Sequence, residues 1–354
     1  MVDTGPTLSA RQINRTVLAR QHLLSRTDLD IPTILQQIGG LQTQYAPSGY
    51  IGLWSRLLDF QRDALTRALE DRSVVQGTLM RTTIHMVAAA DFWPICAAIR
   101  ESRRQWWVRI AKSRKLVDIP HRVLADVLRA ELADGPKTAT DLIAAMERAG
   151  FARPLWEGAG LWLDMVRVPP SGTWERRRAD RFGLAEQWVP QRGTVSEGDG
   201  LRLLLTRYFE AFGPAALADA ATWAGVPRTR LEPVAESMDL VHYRGDDGAL
   251  LLDLPGAVVV DPATPAPVRF LPTWEATLLV HCRRSRILPE AFRAAIFHTK
   301  NPQSVGTVLV DGSVAATWAW RKDHVEVDEL APLKAGQRRE VAAEAGRLND
   351  FYGG

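Results

Sequence analysis

Two glutamines one residue apart are the side chains whose type and spacing best suit a chemical role. Gln42 and Gln44 close the segment Gly40-Leu41-Gln42-Thr43-Gln44, after an apolar run with helical spacing and before the turn-like Tyr45-Ala46-Pro47. We expect the pair at a helix end, where unpaired backbone groups tend to face a cleft. A carboxamide is too weak to act as a strong base, but its oxygen can hold water and its dipole can stabilise positive charge. Taken alone, such residues are more often solvated or capping glutamines.

Few other residues suggest chemistry. Arg81, Thr83 and His85 alternate along a predicted strand and should share one face, although a lone histidine on a strand is usually structural. The pair His281-Cys282 is a weak metal signal that a buried strand explains better. Cys96 is the only other cysteine, and the sequence has no phosphate loop, dinucleotide fingerprint or Ser-His-Asp order. We therefore predict neither a metal nor a cofactor.

Arginine supplies almost all of the positive charge. Lysine accounts for six of the 44 basic residues, so 38 are arginines, and the net charge is +3. The planar guanidinium suits phosphates and base edges, but a GC-rich genome explains the arginine excess equally well. One cluster, Arg176-Arg177-Arg178, lies beside Trp174. A second runs from Arg100 to Lys115 around two tryptophans and fits either a phosphate-binding surface or a solvated helix with its tryptophans in the core.

The elements that must position these residues form a repeated pattern. The chain has 354 residues, which is long for one core, and 46% of them are hydrophobic. Helices followed by a pair of short strands recur, which is the order of a winged helix, and a helix, Gly-Pro turn and helix repeat at Pro136 and Pro214. We predict an α+β fold with three tandem winged-helix modules, at residues 1–118, 119–195 and 196–265, and a β-rich domain at 266–354.

The third module and the last domain carry the clearest signals. A second helix from Arg228 follows Gly225-Val226-Pro227, and two strands then surround Gly245-Asp246-Asp247-Gly248, so Arg228 and Arg230 could enter a DNA major groove. Stacked winged helices also serve as structural or protein-binding blocks. In the last domain we predict strands at 268–272, 277–280, 306–310 and 315–320, with a closing helix from 334 to 352.

Several segments together resemble the winged-helix family of DNA glycosylases, in its AlkZ-like branch. The segments are Gly40 to Gln44, Leu53-Trp54-Ser55-Arg56-Leu57, Leu79 to Val87, and Phe270-Leu271-Pro272 leading to Arg283-Arg284-Ser285-Arg286. The resemblance covers nearly the whole chain. It implies a C-shaped molecule of three winged helices and a β-rich part around DNA. A second branch carries aspartate in place of the second glutamine, and this chain does not.

The resemblance implies a monofunctional enzyme that removes N3- or N7-alkylated purines from double-stranded DNA. Gln42 and Gln44 match the catalytic glutamine-x-glutamine motif, and the resemblance reverses the preference for solvated glutamines. An alkylated purine is cationic and leaves neutral, so weak carboxamide assistance suffices. Bulky adducts, interstrand crosslinks and self-resistance to an antibiotic are further expectations. Residues that we assign to DNA binding are Arg56, Arg81, His85, Arg176, Arg177, Arg178, Arg283 and Arg284.

Two other functional classes remain open on the sequence. A winged-helix transcription regulator explains the modules and the arginines, but neither the glutamine pair nor the β-rich domain. A drug-sequestering resistance protein is the third class, and base release from alkylated DNA separates the first class from both others. We expect a monomer in the cytoplasm, associated with the nucleoid and without a membrane segment. Trp274-Glu275 departs from the family pattern and leaves the role of Glu275 open.

Overall fold

A computed structural model describes residues 5–116, 118–191, 193–279, 284–298 and 303–353, with the backbone alone at 284, 298 and 303. The chain begins with a short strand, β1 (Thr7–Leu8), and a helix, α1 (Ala10–Arg20). The Ser9 hydroxyl accepts a hydrogen bond from the backbone N–H of Gln12 at 3.1 Å, so Ser9 caps the start of α1.

The first segment has the element order of a winged helix. A helix, a short strand, two helices and two strands follow one another, and a long helix closes the segment. Their bounds are α2 (Ile31–Gln37), β2 (Leu41–Gln42), α3 (Pro47–Trp54), α4 (Arg62–Glu70), β3 (Val74–Thr78), β4 (Ile84–Ala88) and α5 (Ala89–Ser113). A 3-10 turn at Met80–Thr82 joins β3 to β4, so the loop between these strands is the wing of the first segment.

The second segment repeats this order. Its elements are α6 (His121–Leu132), β5 (Lys137–Thr138), α7 (Ala139–Arg148), α8 (Trp156–Ala159), β6 (Met165–Arg167), β7 (Arg181–Leu184) and α9 (Ala185–Trp188). β6 pairs with β3 of the first segment, with Gln76 opposite Arg167. Both segments therefore contribute to one six-stranded sheet in the order β2-β4-β3-β6-β7-β5.

The third segment again has a helix, two helices and a strand pair. It comprises α10 (Glu197–Phe212), α11 (Leu217–Ala224), α12 (Arg228–Glu236), β8 (Val241–Gly245) and β9 (Leu250–Asp253). The predicted helix-turn-helix and hairpin are both present. β1 pairs in parallel with β8, so the N-terminal strand completes the sheet of the third segment.

The last segment contains the predicted hairpin and closing helix. Its elements are β10 (Arg269–Leu271), α13 (Ala276–Leu279), α14 (Arg293–Ile296), β11 (Phe297–His298), β12 (Gln303–Ser304), β13 (Gly306–Val310), β14 (Ser313–Arg321), β15 (His324–Glu329) and α15 (Ala335–Gly353). The strand predicted at 277–280 is wrong, because the Glu275 carbonyl accepts hydrogen bonds from the N–H groups of Leu278 and Leu279, which starts a helical turn; residue 280 lies outside the described residues.

The apolar cores cross the predicted domain boundaries. One core joins α1, α5 and α10 to β9 and β10, through side chains such as Leu18, Ile99, Tyr208 and Leu271. A second core joins α2, α3 and α4 to the last segment. The four-part division stays a prediction, but the segments share sheets and cores and so hold one another at fixed positions. In the part of the chain described, no helix is long and apolar enough to cross a membrane.

Candidate active site

Gln42 lies on a strand, not at a helix end. Helix α2 stops at Gln37, and Gly39 and Gly40 follow with φ of +75° and +78°. A β-carbon on Gly40 would lie 2.9 Å from the Met86 carbonyl oxygen, so glycine is required for this close approach. β2 then pairs antiparallel with β4, with Gln42 opposite His85. The expectation of a helix-end pair is therefore wrong, because two left-handed glycines redirect the chain into the sheet.

Arg81 binds Gln42 directly. Its Nη2 donates to Gln42 Oε1 at 2.7 Å, and its Nη1 donates to the carbonyl of Trp223 in the third segment. Arg81 has a φ of +52° in the 3-10 turn, so the predicted strand does not extend over it and strand alternation does not set its direction. Its guanidinium points at the glutamine motif and at a backbone carbonyl, and the assignment of Arg81 to a DNA phosphate stays a prediction.

His85 is a buried neutral acceptor. Its Nδ1 lies 3.1 Å from the Thr83 carbonyl oxygen, so Nδ1 carries the proton and Nε2 faces Arg81 Nη2 at 3.4 Å. Burial, and then the Arg81 charge, lower the pKa of His85 to about 3. Burial also lowers the pKa of Arg81, to about 10, which leaves it charged at neutral pH. His85 supports Arg81 from inside the fold, and its assignment as a DNA contact is wrong.

Gln44 extends from the same strand edge into solvent. The Thr43 N–H donates to the Ile84 carbonyl at 2.8 Å, and Gln44 Oε1 accepts from the Ile84 N–H at 3.2 Å. Gln42 is buried with 6% of its surface accessible, whereas Gln44 is exposed. Each carboxamide oxygen thus receives one hydrogen bond from the protein and retains a second lone pair, which can accept a hydrogen bond from water.

The wing of the second segment contacts Tyr45, the residue that follows the glutamine motif. Arg176, Arg177 and Arg178 lie exposed in the loop between β6 and β7. Arg177 Nη1 donates to the phenol oxygen of Tyr45 at 3.0 Å, and the guanidinium lies over the Trp174 ring at 5.5 Å. Tyr45 follows Gln44 in the sequence and is 42% exposed. Arg178 instead pairs with Asp180 at 2.9 Å, so Arg177 is the arginine of this cluster that adjoins the candidate site.

Arg56 is not available to DNA. Its side chain is fully buried, and Nη2 donates to Glu275 Oε1 at 2.9 Å and to Gln21 Oε1 at 3.1 Å. The DNA-binding assignment of Arg56 is therefore wrong. The same bond gives Glu275 a role, since this buried carboxylate connects the end of α3 to the last segment.

The other candidate arginines divide between internal contacts and the surface. Arg100 pairs with Asp164 at 2.7 Å, and buried Arg103 donates to the Thr78 carbonyl. Arg228 and Arg230, predicted to face a major groove, pair with Glu232 and Glu197. Trp107 is in the core, as the interpretation as a solvated helix expects, whereas Trp106 is exposed; phosphate binding by this segment stays a prediction. Arg283, His281, Cys282 and the side chain of Arg284 lie outside the described residues.

The sequence does not predict two residues that contact the candidate site, Trp223 and Tyr45. Trp223 supplies a carbonyl to Arg81, 142 residues away in the sequence. Tyr45 lies in the turn before α3, as the sequence predicts, but the sequence does not show its contact with Arg177. No local pattern marks a backbone carbonyl as a ligand. For Tyr45 the sequence offers one signal, an aromatic residue directly after the glutamine motif.

The family model described as DNA glycosylase AlkZ-like matches residues 35–351. Among solved structures, the DNA glycosylase AlkZ of Streptomyces sahachiroi shares the fold, with a TM-score of 0.80, 17% sequence identity and coverage of 97% of each chain. A search of curated proteins found no significant match.

Proposed function

Because this chain belongs to the AlkZ-like family of DNA glycosylases, we propose that it hydrolyses the N-glycosidic bond of N3- or N7-alkylated purines in double-stranded DNA. Family membership makes the protein a DNA glycosylase, and DNA is its substrate. The preferred lesion and the catalytic residues are the further steps of this proposal. Gln42 and Gln44 are the residues that we assign to catalysis.

The contacts made by the two glutamines carry the proposal, because in the described residues none of their bonding partners is a general acid at neutral pH. His85, with a pKa of about 3, has no proton on Nε2 to give at neutral pH. Arg81 has a pKa of about 10 and is already committed to Gln42 and Trp223. In the described residues no carboxylate bonds to Gln42, Gln44, Arg81 or His85. Among the described residues, the groups bonded to these side chains do not protonate a departing base at neutral pH, so the arrangement suits a base that leaves without protonation.

An alkylated purine meets this requirement. Alkylation at N3 or N7 gives the base a positive charge, and the electron pair of the C1′–N bond neutralises that charge as the bond breaks. Water then adds its oxygen to the cationic C1′ and loses a proton to solvent. The products are a neutral alkylpurine and an abasic hemiacetal in the DNA.

The two carboxamides differ in what they can do for this step. Gln42 is buried and held by Arg81, so its dipole is fixed relative to the strand. We assign Gln42 to stabilising positive charge at the sugar. Gln44 is exposed, and its oxygen keeps a free lone pair beside the bond from Ile84. We assign Gln44 to holding the attacking water: the water donates an O–H to Gln44 Oε1, and one of its lone pairs then faces C1′.

The surroundings of Gln44 support a wider substrate range. Gln44 and Tyr45 are both exposed, so a bulky alkyl group need not enter an enclosed pocket to reach them. Bulky adducts and interstrand crosslinks are therefore included in the proposed substrates, and self-resistance to a genotoxin is a proposed role. Arg176, Arg177 and Arg178 are the proposed phosphate contacts, because they are exposed on the wing of the second segment, where Arg177 bonds to Tyr45. We propose that the enzyme acts as a monomer.

Release of 7-methylguanine from a defined duplex tests the proposal. Under single-turnover conditions, Gln42→Ala and Gln44→Ala should each slow release by about 100-fold, as for loss of a positioned polar group. Gln105→Ala, which changes an exposed glutamine on α5 bonded to Glu101, is the control and should match the wild type. Unchanged rates in both motif variants would remove the glutamines from catalysis. No base release by the wild type from any alkylated duplex would overturn the substrate assignment.

A further inference from the structure

We propose that Arg81 is a positioning residue that orients the Gln42 carboxamide, and that the turn between α11 and α12 of the third segment holds Arg81 in place. The inference rests on the proposed function of Gln42. It assigns to the third segment a role in the active site that does not require this segment to touch DNA.

Contacts within the first segment fix the backbone of Arg81. Arg81 and Thr82 both have positive φ, at +52° and +58°. Met80 is fully buried, and its carbonyl accepts from the N–H of Thr83 at 3.1 Å. Two successive left-handed residues are uncommon and persist where surrounding contacts determine them. The turn therefore presents the Arg81 side chain in one direction.

The third segment fixes Arg81 from the other side. Gly225 ends α11 in the left-handed conformation with a φ of +68°. A β-carbon there would lie 3.0 Å from the Arg81 nitrogen, 3.1 Å from its Cα and 3.3 Å from its Cγ. Two residues earlier, the Trp223 carbonyl accepts from Arg81 Nη1. The turn thus contacts both the backbone and the guanidinium of Arg81, and the Trp223 ring is itself buried against Tyr208 and Phe212.

The same tryptophan approaches the other end of the motif. Gly39 precedes β2, and a β-carbon on it would lie 3.2 Å from Trp223 Cζ2. Gln21 Nε2 also connects the carbonyl of Ile38 to that of Ala211 on α10. The chain entering the motif and the arginine that binds Gln42 are therefore both set against the third segment.

The consequence for Gln42 is a fixed carboxamide. A guanidinium held at a backbone carbonyl donates to Oε1 from one direction, so the amide cannot rotate about its last torsion without losing that bond. The Nε2 group and the second lone pair of Oε1 are then the parts of Gln42 that can face substrate. Arg81 acts through Gln42 and need not touch the DNA.

A matched glycine pair tests the contribution of the third segment. Gly225→Ala places a methyl group against Arg81, whereas Gly248→Ala adds the same methyl at a φ of +79° in the same segment with no atom within 4 Å. Both variants carry similar backbone strain. Gly225→Ala should slow single-turnover base release by about tenfold or more, with unchanged DNA affinity, and Gly248→Ala should not slow it. Equal rates for the two variants would overturn the role of the turn.

Arg81→Gly tests the arginine itself, because glycine accepts the positive φ and leaves a space for guanidinium. The variant should lose about 100-fold in rate but bind DNA like the wild type, and guanidinium chloride at millimolar concentration should restore part of the rate. If Arg81 served only to stabilise the fold, guanidinium chloride would not restore the base-release rate. An undiminished rate in Arg81→Gly would disprove the proposal.

The side-chain amide resonances of Gln42, identified by their loss in Gln42→Ala, give a readout that does not need activity. They should shift in Arg81→Gly and in Gly225→Ala but not in Gly248→Ala. If the wild type releases no base, the proposed function fails while these resonances still decide the positioning. Unshifted resonances in both active-site variants would reject the positioning role whatever the substrate.

Discussion

Arg177 Nη1 lies 3.0 Å from the phenol oxygen of Tyr45, so the wing of the second segment touches the residue that follows the glutamine motif. The guanidinium also covers the Trp174 ring, and Tyr45 is 42% exposed. A positive charge and an aromatic side chain therefore meet at the solvent edge of the candidate site. This arrangement can hold a phosphate and an unstacked base side by side.

We expect Arg177→Gln to weaken binding to any duplex and to reduce the slope of log affinity against log salt by about one unit, the effect of one lost phosphate contact. The measurement is fluorescence anisotropy at several salt concentrations. Arg148→Gln removes the same charge from an exposed position on α7 and serves as the control. An unaltered salt slope for Arg177→Gln would exclude the side chain from the interface.

The base-release rate should be flat across the neutral range. His85 has a pKa of about 3 and Arg81 a pKa of about 10, so neither changes charge between about pH 5 and pH 9. The single-turnover rate on 7-methylguanine duplex, measured at constant ionic strength, should show no inflection near the usual histidine pKa. A bell-shaped profile centred near neutrality would mean that an acid or base outside these contacts takes part.

The same histidine should make the fold sensitive to acid. In the unfolded chain His85 binds a proton below about pH 6.5, whereas in the folded protein its pKa is about 3, so stability falls as pH drops between these values. At pH 5 the loss is about 2 kcal/mol relative to pH 7.5. His85→Gln should lose less stability over this range than the wild type, as measured by urea denaturation at both pH values. If both proteins lost the same stability between pH 7.5 and pH 5, the pKa of His85 would not be lowered in the folded state.

The buried pair of Arg56 and Glu275 should matter for folding and not for DNA binding. Glu275→Gln leaves an uncompensated guanidinium in the core, which costs about 3–5 kcal/mol of unfolding free energy, and Arg56→Met leaves an uncompensated carboxylate at similar cost. The double variant Arg56→Met with Glu275→Leu should regain part of that loss. Urea denaturation measures stability, and anisotropy on the folded fraction measures affinity. Weaker DNA binding by a folded Arg56→Met protein would restore Arg56 to the interface.

Local signals predicted most of the elements. The helix-turn-helix and strand pair of the third segment and the closing helix of the last segment are signalled by neighbouring residues, and the structure confirms them. The glutamine motif was found for the same reason, as a short pattern. These features depend on neighbouring residues alone, so a single sequence contains the information that they need.

Contacts between residues that lie far apart in the chain could not be predicted from local sequence patterns. Arg56 carries the same side chain as a phosphate-binding arginine, and only the approach of Glu275, 219 residues away, makes it a core residue. The alternation of residues 81, 83 and 85 predicts that Arg81 lies on a strand, whereas it lies in a 3-10 turn and bonds to the distant Trp223. An arginine can pair internally or face DNA with equal local propensity, so its role depends on tertiary packing.

Gly40 shows how one backbone position determines the site, and it gives the last prediction. The residue has a φ of +78°, and a β-carbon would lie 2.9 Å from both the Met86 carbonyl oxygen and Val87 Cγ1. Gly40→Ala must therefore push β2 away from β4, which moves Gln42 relative to Arg81. We expect a loss of stability larger than the strain of about 1–2 kcal/mol for a left-handed alanine, and a fall in base-release rate of about tenfold or more.

Gly150→Ala is the matched control for this change. Gly150 has a φ of +85° with no atom within 4 Å of the added carbon, so this variant should show the backbone strain alone. Thermal unfolding and single-turnover release on the same duplex compare the two proteins. If Gly40→Ala were no more destabilised than Gly150→Ala and cleaved at the wild-type rate, the register of β2 against β4 could not be what positions Gln42.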